Sequence, residues 1–176
     1  LSADLGRASI EVADVANGIF DACGVASSAL DVTNFDCTDV GDNMVTVTVT
    51  DLNANVTTCV ATVTVVDDVD PQALCQDVTI QLDANGAASI SIGDIDAGSN
   101  DACGISDLTL SKLNFDCADT GDNAVTLLVE DTHGNTSICT ATVTVEDVSA
   151  PSALCQDVSI SLDASGAASI TTADVD

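Results

Sequence analysis

The chain has 176 residues, 46% of them hydrophobic, and carries a net charge of −27 because 29 acidic residues face only Arg7 and Lys112. Such a charge excludes nucleic acid and anionic lipid headgroups as partners, since both need Lys and Arg to neutralise phosphate. Acidic chains poor in aromatics are often disordered, but the regular Val/Ile/Leu spacing here supplies enough apolar surface to fold, and no apolar run reaches membrane-spanning length.

Shifted by 80 positions, the chain matches itself without a gap. Of 96 comparable positions 49 are identical, and Cys23, Cys37, Cys59 and Cys75 fall on Cys103, Cys117, Cys139 and Cys155. The chain therefore reads as an array of one unit. Residues 1–70 are a repeat lacking its first strand, residues 71–150 a complete repeat, and residues 151–176 the start of a third. A chain that begins at Leu1 and stops inside a repeat is expected to be an excerpt of a longer protein.

Within the complete unit, residues 73–82 alternate with Val78, Ile80 and Leu82 on one face, which predicts a half-buried strand. Asp83-Ala84-Asn85-Gly86 predicts a tight turn, and residues 87–92 a returning strand. Residues 93–104 form a long Asp/Gly/Asn/Ser loop. Residues 105–110 predict a third strand and 113–117 a short fourth. Asp119-Thr120-Gly121-Asp122 turns the chain into a strand over 124–130, and His133-Gly134-Asn135 turns it again into one over 137–146. In the first repeat Asp51-Leu52-Asn53-Ala54-Asn55 lacks the glycine that Gly134 supplies, so a different turn is expected there. No segment has a 3.6-residue apolar period, and Val and Thr dominate the strands. Short strands with turns every 8–12 residues predict an all-β fold of tandem Ig-like antiparallel β-sandwich modules. Phe35 and Phe115 are expected in the cores.

The runs Asp101-Ala102-Cys103-Gly104, Asn114-Phe115-Asp116-Cys117, Val129-Glu130-Asp131-Thr132-His133-Gly134-Asn135 and Cys139-Thr140-Ala141-Thr142-Val143, with Ala73-Leu74-Cys75-Gln76-Asp77-Val78 and its copy at 153–158, resemble the hyalin-repeat (HYR-like) unit of very large Bacteroidetes surface proteins. The resemblance implies secreted, tandem Ig-like modules in adhesins, gliding-associated proteins and surface filaments, often exported by type IX secretion, with no catalytic activity.

Four cysteines per small unit point to an oxidising, extracellular or cell-surface location. Without a CxxC pair, and with a single histidine, a zinc site is not expected. Four cysteines allow three pairings. Cys75 and Cys139 lie near the starts of the first and last strands, which run side by side in such sandwiches, so Cys75–Cys139 is the first choice. Cys103 and Cys117 flank an expected hairpin and pair locally, as do Cys23 and Cys37. The rival, Cys59–Cys75 repeated as Cys139–Cys155, must span about eight strand residues, roughly 26 Å, where bridged Cα atoms lie under about 7 Å apart. Cys59 and Cys155 are then expected to pair with residues outside this excerpt.

Among the 29 acids only Glu11, Glu130 and Glu146 are not aspartate. Loop residues Asp94, Asp96 and Asp101, the turn residue Asp131 and the linker residues Asp67, Asp68 and Asp70 are expected at the end of the second module that faces the first. Asp14, Asp21 and Asp51 are their counterparts. Carboxylates converging between modules suit calcium, which takes six to eight oxygens; the competing reading is a solvated acidic surface that keeps a long secreted array soluble. His133 reads as a hairpin-tip residue, because its counterpart is Asn53. Chance carboxylate pairs abound, but Trp and Tyr are absent and no GxSxG elbow occurs, so no enzyme is expected. Asn55-Val56-Thr57 and Asn135-Thr136-Ser137 match the short N-glycosylation pattern. Two functions fit: the shaft of an extracellular appendage or filament, stabilised by disulfides and calcium, or a multivalent adhesin whose repeats bind glycan or protein on another surface. The partners expected are neighbouring repeats, identical chains in a filament, or a cell-surface ligand.

Overall fold

The computed structural model describes residues 6–172. It is all-β, in two successive Ig-like modules. The second comprises β6 (Val78–Gln81), β7 (Ala87–Ser89), a single helical turn α2 (Ile92–Ile95), β8 (Ile105–Leu110), β9 (Asn114–Asp116), β10 (Gly121–Asp131) and β11 (Thr136–Glu146). Its main sheet has the order β6-β11-β10-β8, and β7 pairs with β9 in a second, smaller sheet. All pairings are antiparallel except β11 with β6, where Val143 lies beside Val78 and Val145 beside Ile80.

Alternation along β10 and β11 sends Val125, Leu127, Val129, Ala141, Val143 and Val145 inward, where they meet Leu82, Ile90, Ile95 and Phe115 from the facing layer. Each fully buried Val or Leu contributes about 1.5–3 kcal/mol of transfer free energy. The first module repeats the plan with β1 (Arg7–Ser9), a helical turn α1 (Val12–Val15), β2 (Val25–Leu30), β3 (Asn34–Asp36), β4 (Gly41–Asp51) and β5 (Val56–Val65). Here, among the described residues, the main sheet has the order β2-β4-β5, and the core cluster comprises Phe35, Val45 and Val65. Both phenylalanines are buried core residues.

Two expectations change. The strand expected over 73–82 is confined to Val78–Gln81, and the preceding residues instead bridge to the 96–100 loop through Gln72 with Asn100 and Cys75 with Asp96. The strand expected over 87–92 stops at Ser89, and the chain turns helically at Ile92 because the Asp94 carboxylate accepts hydrogen bonds from the Ser91 N–H and hydroxyl, both 2.7 Å. One four-residue turn is too short for a 3.6-residue period to appear. In residues 151–172 no strand is present, and the Asp163 turn stands alone with exposed flanks.

The turn at Ala54 does not differ from its glycine counterpart. Ala54 has φ +67° where Gly134 has +89°, and both loops close with an Asp N–H to Asn carbonyl bond of 3.0 Å. Ala54 accepts a left-handed conformation that costs an L-residue roughly 1–2 kcal/mol. Ala54→Gly is therefore expected to stabilise the first module by about 0.5–1 kcal/mol, after the larger chain entropy of glycine is deducted. A thermal melt of the variant checks this, and an unchanged or lower midpoint would refute it.

Candidate functional site

The two modules meet where β5 runs out into the linker. Past Val65 the chain buries Asp67 against the β10–β11 turn of the second module. Its carbonyl accepts from Asn135 Nδ2 at 3.1 Å, and its Oδ2 lies 3.1 Å from His133 Nδ1. The receiving turn is built by Asp131, a fully buried carboxylate at the end of β10. Asp131 Oδ1 accepts the N–H groups of His133 (2.8 Å) and Asn135 (2.9 Å), and Oδ2 accepts Asn135 Nδ2 at 2.7 Å. This Asp-x-x-x-Asn loop is a turn in which the aspartate replaces missing backbone partners.

Beside it, Asp101 Oδ1 accepts the Cys103 N–H at 2.7 Å, and Thr132 Oγ1 donates to the Cys103 carbonyl at 3.0 Å. These bonds hold Cys103 at the junction, where it is disulfide-bonded to Cys37 of the first module with Cα atoms 5.2 Å apart. Gly6 lies against this bond: a Cβ there would stand 2.5 Å from Cys37 Sγ, so only glycine fits.

The bond Cys37–Cys103 replaces both local pairs expected from the sequence, Cys23–Cys37 and Cys103–Cys117. The hairpin that was to join Cys103 and Cys117 does not exist, because β8 pairs with β10 while β9 pairs with β7. Six residues of β8 carry the chain roughly 20 Å at strand rise, leaving Cys103 at the junction and Cys117 near the Gly86 turn at the other end. Cys75 is bonded to Cys139 inside the second module, with Cα atoms 5.7 Å apart. Cys23, Cys59, Cys117 and Cys155 are free and exposed.

Of the aspartates singled out by sequence, Asp67, Asp101 and Asp131 come together: one carboxylate oxygen from each lies within 4.8 Å of the others. The rest do not join them. Asp68 and Asp70 are exposed in the linker. Asp94 caps α2, Asp14 makes the same bond to the Glu11 N–H at 2.7 Å, and Asp96 accepts the Ser99 N–H at 2.9 Å. Asp21 and Asp51 repeat the local bonds of Asp101 and Asp131 in the first module, to Cys23 and to Asn53 and Asn55. Sequence reasoning missed His133 and Asn135 as junction residues. The recurrence of Asn55 as Asn135 was a usable signal, whereas His133 has none, since Asn53 stands in its place. A second grouping joins Asp67, His133 and Cys103, but the Cys103 sulfur is committed to the disulfide.

Burial opposes charge on Asp131, yet the hydrogen bonds from Asn135 and from the His133 and Gly134 backbone outweigh it and hold its pKa below the ordinary value. A carboxylate whose folded pKa is depressed contributes stability above its unfolded pKa, about 3.9, and loses it as pH falls through the folded value. The second module is thus expected to hold its stability from neutrality down to about pH 4 and to lose it below, with a shallower acid limb in Asp131→Asn. Circular dichroism against pH tests this; an acid limb unchanged by the substitution contradicts it.

No family model and no curated protein matches the chain. Among solved structures it is similar to the fibronectin(III)-like modules of Clostridium thermocellum CbhA, at 12% identity and TM-score 0.33, covering 78% of this chain and 87% of that one. It is also similar to an endo-fucoidan hydrolase of glycoside hydrolase family 107, at 15% identity and TM-score 0.28, covering 80% of this chain but 28% of that one.

Proposed function

We propose that this chain is a segment of the shaft of a long extracellular surface appendage, in which each module is locked to its neighbour so that the array behaves as a rod. The observation that carries this reading is the junction: a disulfide between modules, Cys37–Cys103, beside a buried linker carboxylate held by the next module's turn. Independent beads on a string have no need of either. Disulfide-bonded β-sandwich modules are compatible with an extracellular location, and among the described residues no helix is long and apolar enough to cross a membrane. The role is scaffolding rather than catalysis, and the partners are neighbouring modules and like chains.

Calcium at the junction belongs to the same reading. Asp67, Asp101 and Asp131 offer oxygen donors only, and oxygens 2.3–2.6 Å from one cation lie no more than about 5 Å apart, a spacing these three carboxylates meet. Asp131 already accepts three hydrogen bonds, leaving about one lone-pair site, so Asp67 and Asp101 would supply most of the coordination. Saturating calcium, about 100 times its Kd, is expected to add about 2.7 kcal/mol of stability. The test compares thermal melts and small-angle scattering of the chain in calcium and in chelator. A higher midpoint and a narrower distribution of lengths in calcium, both lost in Asp67→Asn, support the reading. Identical curves in calcium and chelator return these aspartates to the solvated surface, and a flexible chain in both conditions removes the rod.

A further inference from the structure

The two disulfides are interleaved. In chain order the bonded cysteines run Cys37, Cys75, Cys103 and Cys139, with Cys37 bonded to Cys103 and Cys75 to Cys139. Neither loop encloses the other, and neither lies clear of it. Joining the pairs leaves two covalent nodes connected by three arms: 38 residues from 37 to 75, 28 from 75 to 103 and 36 from 103 to 139. The first arm holds β4, β5 and the linker, the second β6, β7 and α2, and the third β8, β9, β10 and the start of β11. Strands of both modules are thus strung between the same two bonds.

A pull along the chain enters this network at residue 37 and leaves it at residue 139. Along the backbone 102 residues separate these points, about 350 Å at full extension. With both bonds in place the tension takes the shortest arm: it crosses from Cys37 to Cys103, runs backwards to Cys75 and crosses again to Cys139. That arm has 28 residues and reaches about 95 Å at most. The other arms are longer by 10 and 8 residues and stay slack. In the folded module even the short arm is closed on itself. Cys75 bridges Asp96, the Ala97 N–H donates to the Leu74 carbonyl at 2.9 Å and the Gln76 N–H to the Ile95 carbonyl at 2.8 Å. These bonds must open before β6, β7 and α2 can be drawn out.

We propose that the interleaved pair is a redundant load-bearing link, which limits how far the shaft lengthens under tension and keeps that limit when one bond is lost. Losing Cys37–Cys103 moves the load to the 38-residue arm, a gain of 10 residues, and losing Cys75–Cys139 moves it to the 36-residue arm, a gain of 8. Loss of the second bond then frees 64 or 66 residues, the separation closed by the bond that breaks last. Two bonds closing separate loops have no such reserve, because each loss releases its whole loop at once. The link deepens the rod reading, since a shaft is what carries tension, but it requires neither calcium nor stiffness.

The test holds single chains by their two ends in optical tweezers at constant force, with the exposed thiols of Cys23, Cys59, Cys117 and Cys155 capped beforehand by iodoacetamide. Dithiothreitol is then admitted. Each disulfide takes two electrons and two protons from it and becomes two thiols, while the reagent closes to a cyclic disulfide. The expected record has two steps in a fixed order, the first about 30 Å and the second about 220 Å. Cys37→Ser, with Cys103 capped as well, is expected to show the large step alone. A large step that comes first in the unsubstituted chain overturns the proposal, because local pairs Cys23–Cys37 and Cys103–Cys117 beside Cys75–Cys139 allow that order and interleaved bonds do not. A chain that reaches its full length before the reagent arrives overturns it too. Small-then-large steps from a chain that scattering shows to be flexible remove the rod and support the link.

Discussion

Cys75→Ala/Cys139→Ala is expected to lower the stability of the second module by about 4 kcal/mol. The bond closes a loop of sequence separation 64, for which the chain-entropy relation gives about 4 kcal/mol at 25 °C. A module of this size ranks among domains whose midpoint moves about 4–8 °C per kcal/mol, so the loss corresponds to roughly 15–30 °C. The structural cost falls in a definite place. Without the bond, residues 72–76 are held in a slot beside residues 95–100 by four backbone hydrogen bonds, the Leu74 N–H bond to the Ser99 hydroxyl and the packing of Ala73. Each such hydrogen bond nets only about 0.5–1.5 kcal/mol, so the slot is expected to open before the β8-β10-β11 sheet does. Calorimetry and far-ultraviolet circular dichroism are the measurements, because a chain without Trp or Tyr lacks their fluorescence. A midpoint within about 5 °C of the parent would show that apolar packing, not the cross-link, holds the module. Amide exchange at Leu74 and Gln76 reports the local opening.

The success of that pairing and the failure of the others share one cause. Cys75 and Cys139 lie on the same side of one module, and adjacency of first and last strands in an Ig-like sandwich suffices to join them. Cys103 is Cys23 moved by one period, so a rule that pairs Cys37 with a cysteine of the Cys23 type is satisfied equally by its own module or by the next. Only the topology separates these: β8 and β9 belong to different sheets, and the intervening strand carries the two ends apart. The period, the alternating strands, the turn at Gly86 and both core phenylalanines were legible because each is a local pattern that recurs, whereas the turn at Ala54 was misjudged because the glycine of its counterpart, Gly134, does not recur. The single helical turns at Val12 and Ile92 were not, being shorter than one apolar period. The convergence of Asp67, Asp101 and Asp131 followed from topology alone, whereas Asp94 and Asp96, equally placed by sequence, are consumed by their own loops. His133 was invisible as a junction residue because repetition highlights what recurs, and the contact it makes with Asp67 does not depend on a recurring side chain.

Cys37→Ser should change the way the chain melts more than it changes either module. The bond spans a separation of 66, again worth about 4 kcal/mol in chain entropy, but the loop it closes contains the linker and parts of both modules. Its stabilisation is therefore shared, and its removal uncouples them. The polar contacts of Asp67 that remain at the junction are the Asn135–Asp67 hydrogen bond and the His133–Asp67 pair, together about 1–3 kcal/mol on the usual net values. The disulfide exceeds them, so it sets the cooperativity. The parent is expected to melt in one transition and Cys37→Ser in two. The earlier one belongs to the first module, whose smaller core cluster leaves it the weaker partner. Cys103→Ser should give the same calorimetric trace, and the double variant no more than either single one, since each removes the same bond. A single transition retained in Cys37→Ser would invert the ranking: the polar contacts of Asp67 would then carry the junction, and Asp67→Ala rather than the cysteine variant would separate the modules.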